Sequence, residues 1–416
     1  MSKYFPIQTA SSCKLKWAWS SLHLNKGITT SCHRSGSSDI PDQFDQFHNT
    51  ETKIAHRAAM LRGEWPGGGC EYCKNIEDAG GNSDRMFQNQ IPGSYPIELE
   101  SDPTLLKVDP AILEVMFSNT CNLGCVYCNA SLSSTIQMED QRWGGSKIPI
   151  NEFTPKENQY RDLNLKFWSW FERNSTKLQR FHILGGEPFL QKDLQRLLDF
   201  FQQVPHPDLE FNIVSNLSLD TKLISGPLDQ LADLKNNNKL KRIDLQVSID
   251  SWIESQQYVR YNLDLDTFER NLNYVMDQNA YRIGLLSTVT SLSIGGLPAL
   301  ARKHREWNNK HTIFWYMHLV YPGDSVFDPT IFDFEVFASS LDETRQLLPN
   351  ETWDDKKTVE IFEGIVSKLQ KNCTNDVARQ QKLLNFLTVN DQRRNTNWRQ
   401  EFPWLEKVFK DNHVVQ

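Results

Sequence analysis

The chain of 416 residues lacks any apolar run near the roughly 18 residues that a membrane-crossing helix needs. Its first ten residues carry one lysine and no apolar core, so nothing there reads as a secretory signal. Excess basic charge is missing too: the formal net charge is -7 and the pI about 5.9, which argues against a general nucleic-acid or anionic-lipid surface. No internal repeat recurs at solenoid periods. Cysteine is scarce, at eight residues. These features point to a cytoplasmic chain, where sparse thiols serve as metal ligands or buried apolar groups rather than disulfides.

The scarce cysteines are unevenly placed: Cys13, Cys32, Cys70, Cys73, Cys121, Cys125 and Cys128 all precede residue 130, and Cys373 stands alone. Residues 1–100 are loop-rich, with structured stretches at Lys14–Asn25 and, as a helix, Gln43–Arg62. So loop-rich a segment buries little apolar surface by itself, and a metal site would hold it in order.

From about residue 111 short β-rich runs alternate with amphipathic stretches. Strands are expected at 112–118, 181–184, 210–215, 243–249, 283–290 and 312–319, with helices near 155–173, 190–203, 220–236, 266–279 and 295–308. Alternation of this kind means parallel strands with right-handed crossovers and chemistry at the strands' C-terminal ends. The expected fold is therefore α/β: a partial (β/α)6 TIM-type barrel over 101–325, an irregular N-terminal module over 1–100 and a helical C-terminal cap over 326–416.

The first strand runs into Ser118-Asn-Thr-Cys121-Asn-Leu-Gly-Cys125-Val-Tyr127-Cys128. Three thiolates in eight residues can hold an iron–sulfur cluster with one position left open. A zinc knuckle would want a fourth ligand nearby. The later strands end in Gly185-Gly186-Glu187-Pro188, in Ser215-Asn216, and in Ser248-Ile-Asp250 followed by Arg260. Paired glycines allow close backbone approach to a ligand. Taken alone, Ser215-Asn216 is equally a strand-end turn, and Ser248 and Asp250 equally a helix cap. Thr288 and Thr290 share one strand face, where core packing is the simpler use.

C-x3-C-x2-C with an aromatic before the last cysteine resembles the signature of the radical S-adenosylmethionine (SAM) superfamily. That resemblance implies a [4Fe–4S] cluster on Cys121, Cys125 and Cys128, with SAM on the fourth iron. It implies Tyr127 against adenine and Gly185, Gly186 and Glu187 around the methionyl ammonium. Ser215, Asn216, Ser248 and Asp250 then lie near SAM, and Arg260 pairs with its carboxylate. The family pattern has glycine where this chain has Ser251. An electron from a flavodoxin- or ferredoxin-type donor cleaves SAM, and the 5′-deoxyadenosyl radical takes hydrogen from a substrate.

Cys13-x13-Gly27-x4-Cys32 and the Cys70-x2-Cys73 pair resemble a twitch module, here N-terminal, with a single auxiliary [4Fe–4S] cluster on four thiolates. The run from Trp65 through Glu77 and Ser83 to Arg85, and the Asp391-x2-Arg394 segment, are shared with twitch-domain radical SAM proteins. Structural zinc takes the same four thiolates. Twitch enzymes mostly modify peptides or proteins, so such a substrate is expected; a small molecule is the alternative, and a non-catalytic iron–sulfur or zinc protein the alternative of another class. No winged-helix leader-binding domain is expected before Cys13, and no cobalamin-binding domain is apparent. Tyr316, His318 and Tyr321 fall near the barrel mouth, but no catalytic acid or base is named.

Overall fold

A computed structural model describes residues 5–93, 106–147, 157–320, 325–349 and 352–414. Its centre is a nine-stranded sheet. β1 (Trp19–His23), β2 (Ile28–Thr30) and β3 (Ser38–Asp39) come first, then β4 (Ile112–Met116). A two-residue strand, β5 (Gly124–Cys125), lies off the sheet. β6 (Arg180–Leu184), β7 (His206–Ser215), β8 (Leu240–Ser248), β10 (Arg282–Val289) and β11 (Ile313–Leu319) complete the sheet, and β9 (Arg260–Tyr261) pairs with β5. The order is β11-β10-β8-β7-β6-β4-β1-β2-β3.

The six strands expected from the alternation are β4, β6, β7, β8, β10 and β11, parallel throughout and in chain order across the sheet. The crossover helices Glu157–Asn174, Lys192–Gln203, Thr221–Asn236, Leu265–Gln278 and Leu297–Asn308 fall close to their expected places. Their apolar stripes pack on the sheet, as Leu194, Leu197, Leu198 and Phe201 do from one helix. Phe167, Phe171, Phe181, Phe201 and Phe211 form the aromatic centre of the main core.

The N-terminal segment differs from its expected form in two respects. Lys14–Asn25 is a short helix, Lys14–Ala18, running into β1, and β1 lies parallel to β4 with Trp19 opposite Ile112. Between Cys13 and Cys32, β1 and β2 form a hairpin with Gly27 at φ +71° in its turn, and this hairpin extends the main sheet. Secondly, Gln43–Arg62 is not one helix. A 3-10 turn, Phe44–Gln46, precedes the helix Glu51–Leu61, because Thr50 caps it by accepting from the Lys53 N–H at 3.3 Å.

The C-terminal residues are helical: Glu335–Leu347, Trp353–Asn372, Val377–Arg394, Trp398–Glu401 and Pro403–Asp411. Pro403 begins the last helix, where its missing N–H costs nothing. Cys373 caps the helix before it and is half-buried. Tyr321 lies outside the described residues. Among those residues, no helix is long and apolar enough to cross a membrane.

Candidate functional site

The three-cysteine loop leaves the C-terminal end of β4 and is stapled to the helix that follows, Ser134–Trp143. Ser134 Oγ accepts from the Cys121 N–H at 3.0 Å, while Thr135 Oγ1 donates to the Cys121 carbonyl at 2.8 Å. Asn119 Nδ2 spans the loop's ends to the Ala130 carbonyl at 2.7 Å. Its middle pairs with the chain beyond β8: Cys125 sits opposite Arg260, and the Val126 N–H donates to the Val259 carbonyl at 2.8 Å. Each of the three thiols interacts electrostatically with the others. Burial pushes the Cys121 and Cys128 thiols up to about 12, so ionising them requires a partner that takes the negative charge. Burial raises Cys125 as well, while Arg260 and Arg394 pull it down.

The strand ends expected to meet this loop do meet it. Gly185 and Gly186 have φ of +85° and +59°. A Cβ on Gly185 would stand 2.0 Å from Met116 Cγ, and one on Gly186 would stand 2.2 Å from the Thr120 carbonyl oxygen, so only glycine fits either position. Glu187 is wholly buried, and its N–H donates to the Thr120 carbonyl at 2.7 Å. Its carboxyl group accepts from the Phe189 N–H at 3.2 Å, the Ser215 hydroxyl at 2.9 Å and the Asn216 N–H at 2.7 Å. Glu187 therefore ties the end of β6 to the end of β7, and burial raises it to about 7. Asn216 donates to Asn122 Oδ1 at 2.8 Å and approaches Cys121 Sγ at 3.9 Å. The next residue, Leu217, is held at φ +51°, a left-handed conformation that costs a β-carbon residue about 1 kcal/mol.

Arg260 and Asp250 adopt an arrangement that the spacing did not foretell. Arg260 Nε and Nη2 each reach an Asp250 oxygen at 2.8 Å, a buried two-point ion pair. Asp250 also accepts from the Tyr127 hydroxyl at 2.7 Å and the Thr288 N–H at 2.9 Å. The guanidinium expected to face a ligand carboxylate is here engaged by Asp250, and the Tyr127 ring lies 5.7 Å from it. Ser248 ends β8 half-buried, opposite Leu286. Thr288 Oγ1 lies 3.3 Å from His318 Nε2, which brings β11 into the site, while Thr290 is fully buried and packs on Ser293.

The four N-terminal cysteines are also grouped. Cys13 interacts electrostatically with Cys32 and Cys70, and Cys73 with Cys32. Burial pushes Cys13 up to about 12. The Arg34 and Ser35 N–H groups point at Cys32 Sγ from 3.4 and 3.2 Å. Lys16 lies against Cys70, and the Ser83 hydroxyl and Arg85 N–H favour the Cys73 thiolate. The run from Trp65 to Arg85 thereby gains a physical reading. Arg85 and Ser83 both bond Glu77, and Arg85 stacks 5.0 Å over Trp65 and donates to the Ser12 carbonyl at 2.7 Å, beside Cys13.

All eight cysteines are free thiols. Among the described residues no three His, Cys, Asp or Glu side chains converge as ligands of a single metal ion, so each set of thiols is grouped without being drawn onto one point. A cluster of several irons spreads its ligands more widely than one ion does. The donor chemistry of both sets, thiols with N–H groups and cations aimed at them, fits such an anionic cluster.

Sequence reasoning missed the charges around Arg394. The Asp391-x2-Arg394 signal was visible, but not its destination. Asp391 accepts from Tyr258, Thr396 and the Trp398 N–H, which fixes the end of the helix Val377–Arg394. Arg394 then lies over Tyr261 at 4.5 Å, next to Gly124.

No protein-family model and no curated protein sequence matches the chain. Among solved structures it is similar to Streptococcus suis SuiB bound to S-adenosylmethionine, at 14% identity and a TM-score of 0.38 over 72% of this chain and 61% of that one. SuiB bound to its precursor peptide SuiA gives 14% identity and a TM-score of 0.36 over 81% and 67%. The chain thus spans about three fifths of the SAM-bound SuiB chain.

Proposed function

We propose that this chain is a radical SAM enzyme that binds a [4Fe–4S] cluster on Cys121, Cys125 and Cys128 and modifies a peptide or protein substrate. One observation carries the reading. The C-x3-C-x2-C loop, the Gly185-Gly186-Glu187 turn, Asn216 and the Tyr127–Asp250–Arg260 group come together at the C-terminal ends of neighbouring parallel strands. When bound, the cluster and SAM supply a reductively generated 5′-deoxyadenosyl radical able to take hydrogen from a C–H bond.

The chain's own residues bind, orient and shield. The three thiols lose their protons to become ligands, which the nearby Arg260 and Arg394 favour at Cys125. Gly185 and Gly186 let the end of β6 pack directly against Met116 and the Thr120 carbonyl, which holds the turn against the three-cysteine loop. Asp250 holds the Tyr127 hydroxyl and the Arg260 fork in fixed orientation. The buried strand ends keep water from the reacting atoms. Cys13, Cys32, Cys70 and Cys73 form the ligand set of an auxiliary [4Fe–4S] cluster in a twitch-like module, supported by the Lys16, Ser83 and Arg85 donors around them. A flavodoxin- or ferredoxin-type protein is the proposed electron source. The peptide substrate rests on the motif resemblance to twitch enzymes.

The test is anaerobic reconstitution with iron and sulfide counts on wild type and on the Cys121→Ala/Cys125→Ala/Cys128→Ala variant, alongside SAM cleavage. About eight irons in wild type and about four in the variant, with cleavage lost, are expected. About four in wild type and essentially none in the variant removes the auxiliary cluster and favours zinc at the N-terminal thiols. No iron in either overturns the proposal. Synthetic peptides encoded beside the gene test the substrate class by mass change on turnover.

A further inference from the structure

Behind the three-cysteine loop lies a buried charge network with cations in excess. Arg394 Nε donates to Glu139 Oε2 at 2.7 Å, Lys147 reaches Glu139 Oε1 at 2.7 Å, and Arg393 reaches Asp140 at 3.1 Å. Three cations thus face two carboxylates, and each of the five side chains is at most 12% exposed. Cys125 and Cys128 line one small cavity together with Asp140, Ser146, Lys147 and Phe386, so the network borders the cysteines directly.

Arg394 is the odd member. Its side chain is 2% exposed, and both terminal nitrogens, Nη1 and Nη2, are buried without a hydrogen-bond partner. Buried donors without acceptors are costly, because they have given up water for nothing. Their direction is fixed by what surrounds them: a Cβ on Gly124 would lie 2.9 Å from Nη2, so the guanidinium occupies the space glycine leaves beside Cys125. Tyr261 covers one face of it, at 4.5 Å. Glu139 Oε2 accepts from Arg394 Nε, while Oε1 lies 2.7 Å from Lys147 and accepts from neither terminal nitrogen of Arg394. The contact with Gly124 and the pull of Arg394 on Cys125 put the Nη2 donor on the side of the three-cysteine loop.

We infer that Arg394 donates to the sulfur of the cluster held by Cys121, Cys125 and Cys128 and, as a fixed positive charge beside it, favours the cluster's reduced state. The inference rests on the cluster proposed above. One electron entering makes the cluster one unit more negative, so a buried cation in contact stabilises the reduced form over the oxidised one. Arg394 is a tuning residue, not a catalytic one, and it comes from a helix about 270 residues beyond the loop it serves.

The experiment is a redox titration followed by electron paramagnetic resonance, reading the signal that changes when SAM is added. Titrating wild type, Arg394→Gln, Arg394→Lys and Glu139→Gln, with iron counted in each, separates charge from structure. Arg394→Gln is expected to be about tenfold less reduced at a fixed potential, a midpoint lower by about 59 mV for one electron. Arg394→Lys keeps the charge and stays within about threefold of wild type. Glu139→Gln removes a compensating carboxylate and shifts the midpoint the opposite way, a sign that general loosening of the loop does not produce. If Arg394→Gln fails to retain iron, Glu139→Gln and Arg394→Lys decide. An unchanged midpoint in the Gln variants, or shifts of the same sign in both, overturns the inference while leaving the enzyme reading intact. Wild type without a SAM-responsive signal overturns both.

Discussion

The two cysteine sites solve the problem of burying thiols in opposite ways. The three-cysteine loop is part of the main core, at the ends of strands whose positions the whole sheet fixes. Its surroundings are electrically mixed, with Asp250 and Glu187 as well as Arg260 and Arg394. The four-cysteine site packs in a separate small apolar group with Phe5, Trp17 and Met60. There, among the described residues, the buried cations Lys16, Lys53 and Arg57 bond to uncharged groups. Lys53 donates to Ser20, Thr29 and the Phe47 carbonyl, and Arg57 to Asn49 and the carbonyls of Lys16, His48 and Leu106. Lys16 reaches Ser31 at 3.0 Å and His56 at 3.3 Å. Burial holds Lys53 well below its ordinary range and Arg57 at about 9. Uncompensated buried cations are costly, and in the proposed auxiliary cluster four thiolates would supply the missing negative charge. The first site is preformed by the fold; under the proposed auxiliary cluster, the second would be completed by what it binds.

The largest effect expected from this contrast is on activity. Replacing Cys121, Cys125 and Cys128 by alanine takes SAM cleavage, measured as 5′-deoxyadenosine, to background. Replacing Cys13, Cys32, Cys70 and Cys73 leaves SAM cleavage measurable while substrate turnover falls. Loss of cleavage in both variants breaks the comparison. Next is Asp250→Asn, which leaves Arg260 buried without its carboxylate. It is expected to cost about 3–5 kcal/mol in urea unfolding of the iron-free protein.

Glu187 gives a pH signature confined to the preformed site. Its folded value, about 7, lies above that of a free glutamate, 4.5, so the folded chain binds more protons than the unfolded one between these values. Stability from this group therefore falls as pH rises through that window, by about 1–3 kcal/mol. Glu187→Gln, followed by thermal unfolding at pH 5 and pH 8, is expected to lack that slope. Lys16→Met should weaken metal retention at the four-cysteine site about tenfold, or 1.4 kcal/mol, in a chelator competition. It leaves the stability of the metal-free chain unchanged or raised, and a loss of that stability instead means that Lys16 is structural. The smallest effect is Gly27→Ala, about 1 kcal/mol, because the hairpin turn sits at φ +71°.

Much of the preformed site is legible in the sequence because its signals are local. Each strand is an apolar run, the first four end in distinctive short motifs, and parallel alternation brings those ends to one side. The turn at Gly27 is local as well. What could not be read is contact over distance. β1 joins β4 although roughly ninety residues separate them, and nothing in Trp19–His23 names that partner. The Asp250–Arg260 pair depends on a bend after β8 that the S-x-D spacing does not specify. Arg394 is visible as a motif residue, yet only the packing of the last helices carries it to Gly124. Lys16 and Lys53 look like ordinary surface lysines until the helix and hairpin around them close.

The pairing of β1 with β4 sets an order of events at the ribosome. Trp19 has no hydrogen-bonded neighbour on that side until Ile112 has been made. At roughly 5–20 residues per second, the hairpin joining Cys13 to Cys32 waits on the order of 5–20 seconds as an open edge. Cys13 and Cys32 therefore flank an edge that stays open until β4 is made, and the three-cysteine loop emerges only as that edge is being closed.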